Sequence, residues 1–482
     1  MSESTPSGPT SGKPLDLCIV GAGSAGLSVA AGAAQLGLKV VLIERGEMGG
    51  DCLNSGCVPS KALLAAAGAA VAWREAAKFG LEASPPKVDF PAVMAHVQGV
   101  IAAIAPMDSQ ERFEGLGVRV LRESARFVSP TAVEAGAERV TARRFVIATG
   151  SRPVLPPIPG LLDVPHHTNE TIFHLKEQPE HLIVLGGGPI GCELAQAFAR
   201  LGSRVTLVER DVLLPREERE QAELLEAALT ADGIAVRSGW EALRLTGGAG
   251  GPQLTVAKDG EEEVIAGSHL LVAVGRRPEY EGLGLEEAGI AMTDGRPRVD
   301  ARLRSSNKRI FLAGDAAGGP QFTHLAGAHA GVLIKNIAFR IPAKASGLVV
   351  PRVTYTDPEL AQVGMSEAEA LAAGHKINIL RWSFHENDRA QTERALGGFI
   401  KVVTTTKGKV LGASLLGRHA GELIQPWVLA LERGLPISAL ATTVAPYPTL
   451  GEVSKRAAGS FYTPKLFSKR SRLLVALLRH LG

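Results

Sequence analysis

Apolar and polar positions repeat one plan twice along the chain. The run LCIVGAGSAGLSVAAGAAQLGLKVVLIERG from Leu17 aligns without a gap with LIVLGGGPIGCELAQAFARLGSRVTLVERD from Leu182. Each opens on a short unbroken apolar run that predicts a buried strand, then meets a glycine-rich turn. A helical stretch follows, a glycine stops it, and a second apolar strand ends in Glu-Arg. Further on, RRFVIATG and HLLVAVG read as strands ending at Gly150 and Gly275. SEAEALAAG from Ser366 has a capping residue, a glutamate three later and a stopping glycine, the marks of a short helix. FIKVVTTTKGKVLGASLLG alternates around Lys407-Gly408 as a hairpin does. The pattern predicts an α/β protein: two Rossmann-like modules and, after them, an antiparallel sheet flanked by helices.

The stretch from Leu15 to Leu38 is apolar enough to resemble a membrane helix, but Gly21, Gly23, Gly26, Gly32 and Gly37 break that reading. These glycines fit a different task. In G-x-G-x-x-G the first glycine makes a tight turn, the second lets backbone approach a pyrophosphate, and the third lets helix pack on strand. Gly21, Gly23 and Gly26 form one such set, and Gly186, Gly188 and Gly191 form another. Glu44 and Glu209 lie at the same offset from their glycines, where a carboxylate accepts hydrogen bonds from ribose hydroxyls. Two copies in the same context predict two bound dinucleotides.

Composition narrows the rest. Of 482 residues, 45% are apolar and 21% charged, an ordinary balance for a soluble chain. A formal charge of +3, with no finger or RNA-binding motif, argues against a nucleic-acid partner. The opening MSESTPSGPTSGKP is polar and rich in Pro, Gly and Ser, so residues 1–14 are expected to be a disordered leader rather than a signal peptide. A cytoplasmic, reducing compartment is the corresponding expectation.

Of the four cysteines, Cys52 and Cys57 stand in GGDCLNSGCVPSK, while Cys18 and Cys192 stand alone. A structural zinc site needs four ligands, and no second pair exists at ligand spacing, so no metal site is expected. A stapling disulfide suits small secreted domains rather than a chain of this length. In a regular helix, residues five apart are too distant to bridge, but Asn54-Ser55-Gly56 permits an irregular backbone. A redox pair at a helix start is the leading reading. Its position just after Glu44 places it beside the first nucleotide, which suggests a flavin there and a nicotinamide in the second module. Cys18 and Cys192 read as buried, inert thiols.

Beyond these features the chain carries ATGSRP, VGRRPE, IFLAGDAA, YTDPELAQVG and NDRA in that order. In this it resembles the FAD-dependent pyridine nucleotide-disulfide oxidoreductases, the family of dihydrolipoamide dehydrogenase, glutathione reductase and mercuric reductase. The resemblance runs from about Leu15 to about Gly459. It implies an FAD domain from residues 15–155 and 281–345, an inserted NAD(P) domain at 156–280, and an interface domain at 346–459 that forms a homodimer. It further implies that Cys57 is the thiol beside the flavin and Cys52 the thiol that meets substrate. Lys61 would pair with Glu193, and Asp315 would bind the flavin ribitol. Gly150 and Gly314 would line the FAD site and Gly275 the NAD site. NADH is expected over NADPH, because Glu209 would repel a 2′-phosphate.

Two departures from the family's pattern follow. Where dihydrolipoamide dehydrogenase and glutathione reductase carry an acid-base histidine, this chain reads APYPTLGE: Tyr447 stands at the histidine position, with Glu452 retained. Tyrosine titrates near pH 10 and is a poor proton acceptor at neutral pH, though it can donate a hydrogen bond or simply pack. Tyrosine here is similar to mercuric reductase, yet no cysteine follows Cys192 to deliver a metal ion. The acceptor classes in view are a small disulfide, a thiophilic metal ion, or a lipoyl group on an unusual partner; a low-turnover redox sensor or membrane-docked flavoprotein is the alternative of another class. The second departure is the basic amphipathic tail, residues 460–482, which suits either peripheral contact with an anionic membrane or docking on its own dimer.

Overall fold

The computed structural model describes residues 15–82, 87–248 and 250–480, so the expected leader lies outside the described residues. Strand β1 (Leu15–Val20) is almost wholly buried, and it passes through the glycine turn into helix α1 (Ser24–Gln35) and then β2 (Val40–Ile43). Helix α2 (Gly50–Asn54) and helix α3 (Cys57–Glu75) follow. Strands β3 (Arg119–Leu121), β4 (Ala125–Ser129), β5 (Ala132–Ala135) and β6 (Glu138–Ile147) complete a sheet of order β3-β2-β1-β6-β5-β4. Pairing from β3 to β6 is parallel, whereas β4, β5 and the start of β6 form an antiparallel meander. Order reverses on either side of β1, and an open α/β sheet binds ligands at such a point.

The second module repeats this. Strands β7 (His181–Leu185), β8 (Arg204–Glu209), β9 (Ala235–Ser238) and β10 (His269–Val272) form a parallel sheet of order β9-β8-β7-β10. Helix α4 (Pro189–Arg200) joins β7 to β8, with proline in its first turn, where the missing N–H costs no bond. A three-stranded antiparallel sheet from Glu241 to Ala266 stands where the first module has its meander.

The chain then returns to the first sheet. Strand β11 (Ile310–Leu312) pairs in parallel with the C-terminal half of β6, and helix α5 (Thr323–Ile337) packs on α1 through Ala326, Ala330 and Leu333. Strands β12 (Arg352–Thr354), β13 (Glu359–Gly364), β14 (Ile377–Ser383), β15 (Phe399–Thr405) and β16 (Val410–Gly417) form an antiparallel sheet of order β12-β13-β16-β15-β14. Its β15–β16 pair is the hairpin expected around Lys407-Gly408, and Ser366 and Glu369 form the reciprocal cap expected there. Phe384, Ile400, Leu415 and the fully buried Trp427 make its core, the Trp427 indole donating to Ser454 Oγ at 3.0 Å. After α6 (Glu452–Ser460) come two short tail helices, α7 (Thr463–Leu466) and α8 (Lys469–Leu478).

Residues divide into two compact units: one from 1–59, 96–153 and 276–347, the other from 60–95, 154–275 and 348–482. Residues 60–82 and 87–95 cluster with the second module and the C-terminal sheet. The cause is packing on α4: the Arg74 guanidinium donates to Arg200 O at 2.6 Å, and the Phe90 ring lies 6.1 Å from that of Phe198.

Candidate functional site

Backbone approach explains the repeated glycines. A Cβ on Gly26 would lie 1.8 Å from Gly21 O, and one on Gly191 would lie 1.9 Å from Gly186 O. Gly21 and Gly186 have φ of +105° and +112°, and a Cβ on either would strike the carbonyl of Ala148 or Ala273. The middle glycines differ: Gly188 faces open space, and a Cβ on Gly23 would meet only Gly50 Cα, at 3.9 Å. That opening leaves room for a pyrophosphate against backbone N–H groups.

The two acids are held alike. Glu44 accepts from the N–H of Ala22 at 2.6 Å and of Gly46 at 2.7 Å. Glu209 accepts from the N–H of Gly187 at 2.7 Å and of Asp211 at 3.0 Å. Each carboxylate is thereby fixed at the end of its strand with its remaining lone pairs available to a ribose diol. Cradle and acid fit a dinucleotide in both modules.

The cysteine pair is built onto the first glycine loop. Gly49 and Gly50 both take positive φ, which turns α2 so close to that loop that a Cβ on Gly50 would lie 2.6 Å from Gly23 Cα. Cys52 sits in α2, the helix breaks at Ser55-Gly56, and Cys57 is the first residue of α3. Asn54 secures the break by donating to the carbonyls of Met48 and Gly50 at 3.0 and 2.9 Å. Both sulfurs are present as thiols. Cys57 Sγ lies 3.4 Å from Thr323 Oγ1, while Cys52 is hydrogen-bonded to Cys57, Thr323 and Ser24. Its bond to Cys57 and its burial push the Cys52 thiol up, against the weaker pull of Thr323 and Ser24. The helix start at Cys57 favours negative charge on that sulfur. Thr323 and Ser24, at the starts of α5 and α1, were not singled out from sequence; Ser24 lay inside the fingerprint, and Thr323 carried no signal.

A polar chain ties three motifs together in the same unit. Asp51 pairs with Arg276 at 3.2 Å, Arg276 Nε donates to Ser151 Oγ at 2.9 Å, and Ser151 Oγ donates to Asp315 Oδ2 at 2.6 Å. Arg276 belongs to VGRRPE, Ser151 to ATGSRP and Asp315 to the GDAA turn, so motifs far apart in sequence meet here. Burial raises the Asp315 carboxyl, and the Ser151 hydroxyl acts against it. Gly150 and Gly314 flank Ser151 and Asp315 with φ of +71° and +60°, while Gly275 adjoins Arg276 at the end of the second module's sheet.

In the other unit, Lys61 Nζ donates to Glu193 Oε2 at 2.8 Å and stands 4.5 Å from the centre of the Tyr355 ring. Glu193 Oε1 accepts from Tyr355 N at 2.9 Å, so both oxygens of this buried carboxylate are engaged. Gln196 and Arg200, on the same face of α4, bind Asp357, which anchors the Tyr355–Asp357 loop to this helix. Lys61 lies one turn after Cys57 on α3. Of the lone cysteines, Cys18 and Cys192 are fully buried, and the Cys192 thiol donates to Gly187 O at 3.4 Å.

Tyr447 is 70% exposed, and its hydroxyl donates to Asp388 Oδ2 at 2.9 Å. That bond, the Asp388 charge and the charge of Glu452, the first residue of α6, all raise the phenol. Asn387 caps the short helix Asp388–Glu393 and donates to Thr449 O at 3.0 Å, so NDRA holds the Tyr447 loop. The motif was visible in the sequence, but the role of Asp388 was not.

Comparison with known proteins gives the same picture. Residues 15–330 match the pyridine nucleotide-disulphide oxidoreductase model, and residues 350–458 match that family's dimerisation domain. A mercuric reductase of Streptomyces lividans is 38% identical over 456 residues, spanning 92% of this chain and 96% of the relative. A dihydrolipoyl dehydrogenase of Thermus scotoductus is 39% identical over 457 residues, spanning 93% and 98%. The HOCl-induced flavoprotein disulfide reductase RclA from Escherichia coli superposes with a TM-score of 0.83 at 28% identity, covering 92% of this chain and 99% of that one. With a cysteine pair set on one of two dinucleotide modules and a dimerisation domain behind them, this chain belongs to the class I pyridine nucleotide-disulfide oxidoreductases, flavoproteins that use FAD and NAD(P)H.

Proposed function

We propose that this flavoprotein carries electrons from NADH to the Cys52–Cys57 pair and on to a soft thiophilic metal ion or a reactive disulfide. When bound, FAD would accept a hydride from the nicotinamide and supply two electrons to the cysteine disulfide. Gly21, Gly23, Gly26, Glu44, Gly150, Gly314 and Asp315 would hold FAD. Gly186, Gly188, Gly191, Glu209 and Gly275 would hold NADH. Lys61, steered by Glu193 and Tyr355, would present its charge along α3 from Cys57, and Thr323 would hold the Cys57 sulfur in place. Cys52 would be the one exchanged with substrate, acting as its thiolate. Oxidation of the two thiols to a disulfide yields two electrons and two protons: a disulfide acceptor takes up both to become two thiols, whereas one Hg(II) or two Cu(II) take the electrons and the protons pass to solvent.

The observation that carries the choice of acceptor is the bond from Tyr447 to Asp388. A phenol that donates to a carboxylate is a poorer base than free tyrosine, so thiol deprotonation of a substrate dithiol lacks a helper at neutral pH. A metal ion needs no such base, because a thiolate binds it directly. The mercuric reductase relatives and a Cu(II) complex of RclA support this class. In a homodimer, Tyr447 and Glu452 of one subunit would face the cysteines of the other.

The test is an anaerobic acceptor screen of the purified yellow protein with NADH. Hg(II), Cu(II) and an aromatic disulfide are expected to be reduced faster than lipoamide or glutathione disulfide. Lipoamide turnover comparable to the rate of flavin reduction would overturn this reading in favour of a dihydrolipoyl dehydrogenase. Failure of every acceptor alongside rapid flavin reduction would favour a sensor.

A further inference from the structure

We propose that the segment after Tyr462 is a docking surface for an anionic phospholipid bilayer, independently of which acceptor the enzyme reduces. Phe461 is the last residue anchored in the C-terminal core: it packs against that cluster, and a Cβ on Gly408 would lie 3.2 Å from its ring. Beyond it, neither α7 nor α8 buries a residue. The matched dimerisation domain has ended by then, at residue 458.

Helix α8 is nonetheless well formed. Ser468 caps it by accepting from Ser471 N at 3.2 Å, and the Ser471 hydroxyl donates back to Lys465 O at 2.8 Å. At a helical step of about 100° per residue, Lys469, Arg472 and Arg479 fall on one side with Val475, and Leu473, Leu474, Leu477 and Leu478 on the other, where Arg470 joins them in the first turn. These leucines, with Val475, Leu466 and Phe467, are each 51–74% exposed. A run of this size exposed on two successive helices is not the scattered apolar residue of an ordinary surface.

Charge identifies the occupant. After Tyr462 there are five Lys and Arg and no Asp or Glu, while the whole chain carries only +3. The remainder of the protein is therefore net acidic, and its positive charge is concentrated on this end. An end rich in exposed leucines whose only charged side chains are cationic matches a bilayer with anionic headgroups, which takes the leucines into the acyl boundary and the basic groups, Arg470 at the end of the leucine side included, at the phosphates.

The test uses purified holoenzyme and sedimentation with vesicles of phosphatidylglycerol and phosphatidylcholine, or of phosphatidylcholine alone. The full chain is expected to bind the anionic vesicles at least about tenfold better than the neutral ones. A chain ended at Tyr462, which keeps Phe461 in the core, should lose that binding and retain its rate of flavin reduction by NADH. Leu473→Glu with Leu477→Glu should also abolish binding, because the exposed positions tolerate the change in fold but not in lipid. Equal binding by full and shortened chains would overturn the proposal, as would failure of the full chain to bind anionic vesicles. A shortened chain with an altered oligomeric state, and no vesicle binding by the full chain, would assign the face to a second copy instead.

Discussion

The hydroxyl of Tyr447 is committed to the carboxylate of Asp388, 2.9 Å away on a separate helix. The donor direction is fixed by the ionised partner, and the phenol is harder to ionise as a result. Asp388→Asn should therefore lower the pH at which Tyr447 titrates, read as phenolate absorbance in a difference titration against Tyr447→Phe. An unchanged titration would show that the bond is absent in solution.

Replacing Tyr447 by histidine restores an imidazole beside Glu452. Oxidation of dihydrolipoamide near pH 7–8 should then rise by about 100-fold, the low end of the ~10²–10⁴ that general-base assistance supplies. Reduction of the flavin by NADH should be unchanged in this variant and in Tyr447→Phe. Rapid dithiol oxidation by the unaltered protein would refute the role given to the tyrosine.

Thr323 touches the Cys57 sulfur and also bonds Cys52. In an anaerobic NADH titration the unaltered protein should take up an electron pair beyond the flavin's own and show long-wavelength charge-transfer absorbance. Cys57→Ser should abolish that absorbance, and Thr323→Val should weaken it and move its pH dependence upward, because a hydrogen bond favouring the thiolate is lost. Full flavin reduction with no extra electron pair would contradict a redox role for the cysteines.

Glu209 presents a carboxylate where a nucleotide ribose would lie, although Arg210 is adjacent and 75% exposed at its side chain. Efficiency with NADH, as kcat/KM, should exceed that with NADPH by about tenfold or more, and Glu209→Gln should narrow the gap. Equal efficiency in the unaltered enzyme would remove the argument.

Gly191→Ala places a methyl 1.9 Å from a backbone oxygen that has no freedom to retreat. The variant should lose about 1–3 kcal/mol of stability in denaturant titration and bind NADH more weakly, while FAD content stays near that of the unaltered protein. Full retention of both would mean that helix and strand can separate at this point.

The parts legible in sequence were those set by local backbone geometry. Each fingerprint packs glycine against glycine within one turn, so its spacing alone reports the fold, and the Asn54-Ser55-Gly56 break is equally local. Lys61 could be placed on the Cys57 face because a helical step is regular, but its distance from Glu193 needed the tertiary structure. The polar chain through Asp51, Arg276, Ser151 and Asp315 joins residues more than a hundred positions apart, and no periodicity marks such a contact. Tyr355 and Asp388 escaped notice for the same reason: each lay in a quoted motif, but the partner that gives it meaning comes from another segment.

The first sheet has a consequence for synthesis of the protein. Strand β6 is emitted well before β11, its parallel neighbour, and α1 well before α5, which packs on it. The second module, by contrast, is a nearly continuous length of chain whose own strands suffice for its sheet. A ribosome therefore releases the second module with all four strands of its parallel sheet while the first still lacks a strand, a helix, Asp315 and Thr323. The first sheet is completed late in translation, and a chain stalled before residue 310 would carry its cysteine pair on an unfinished sheet.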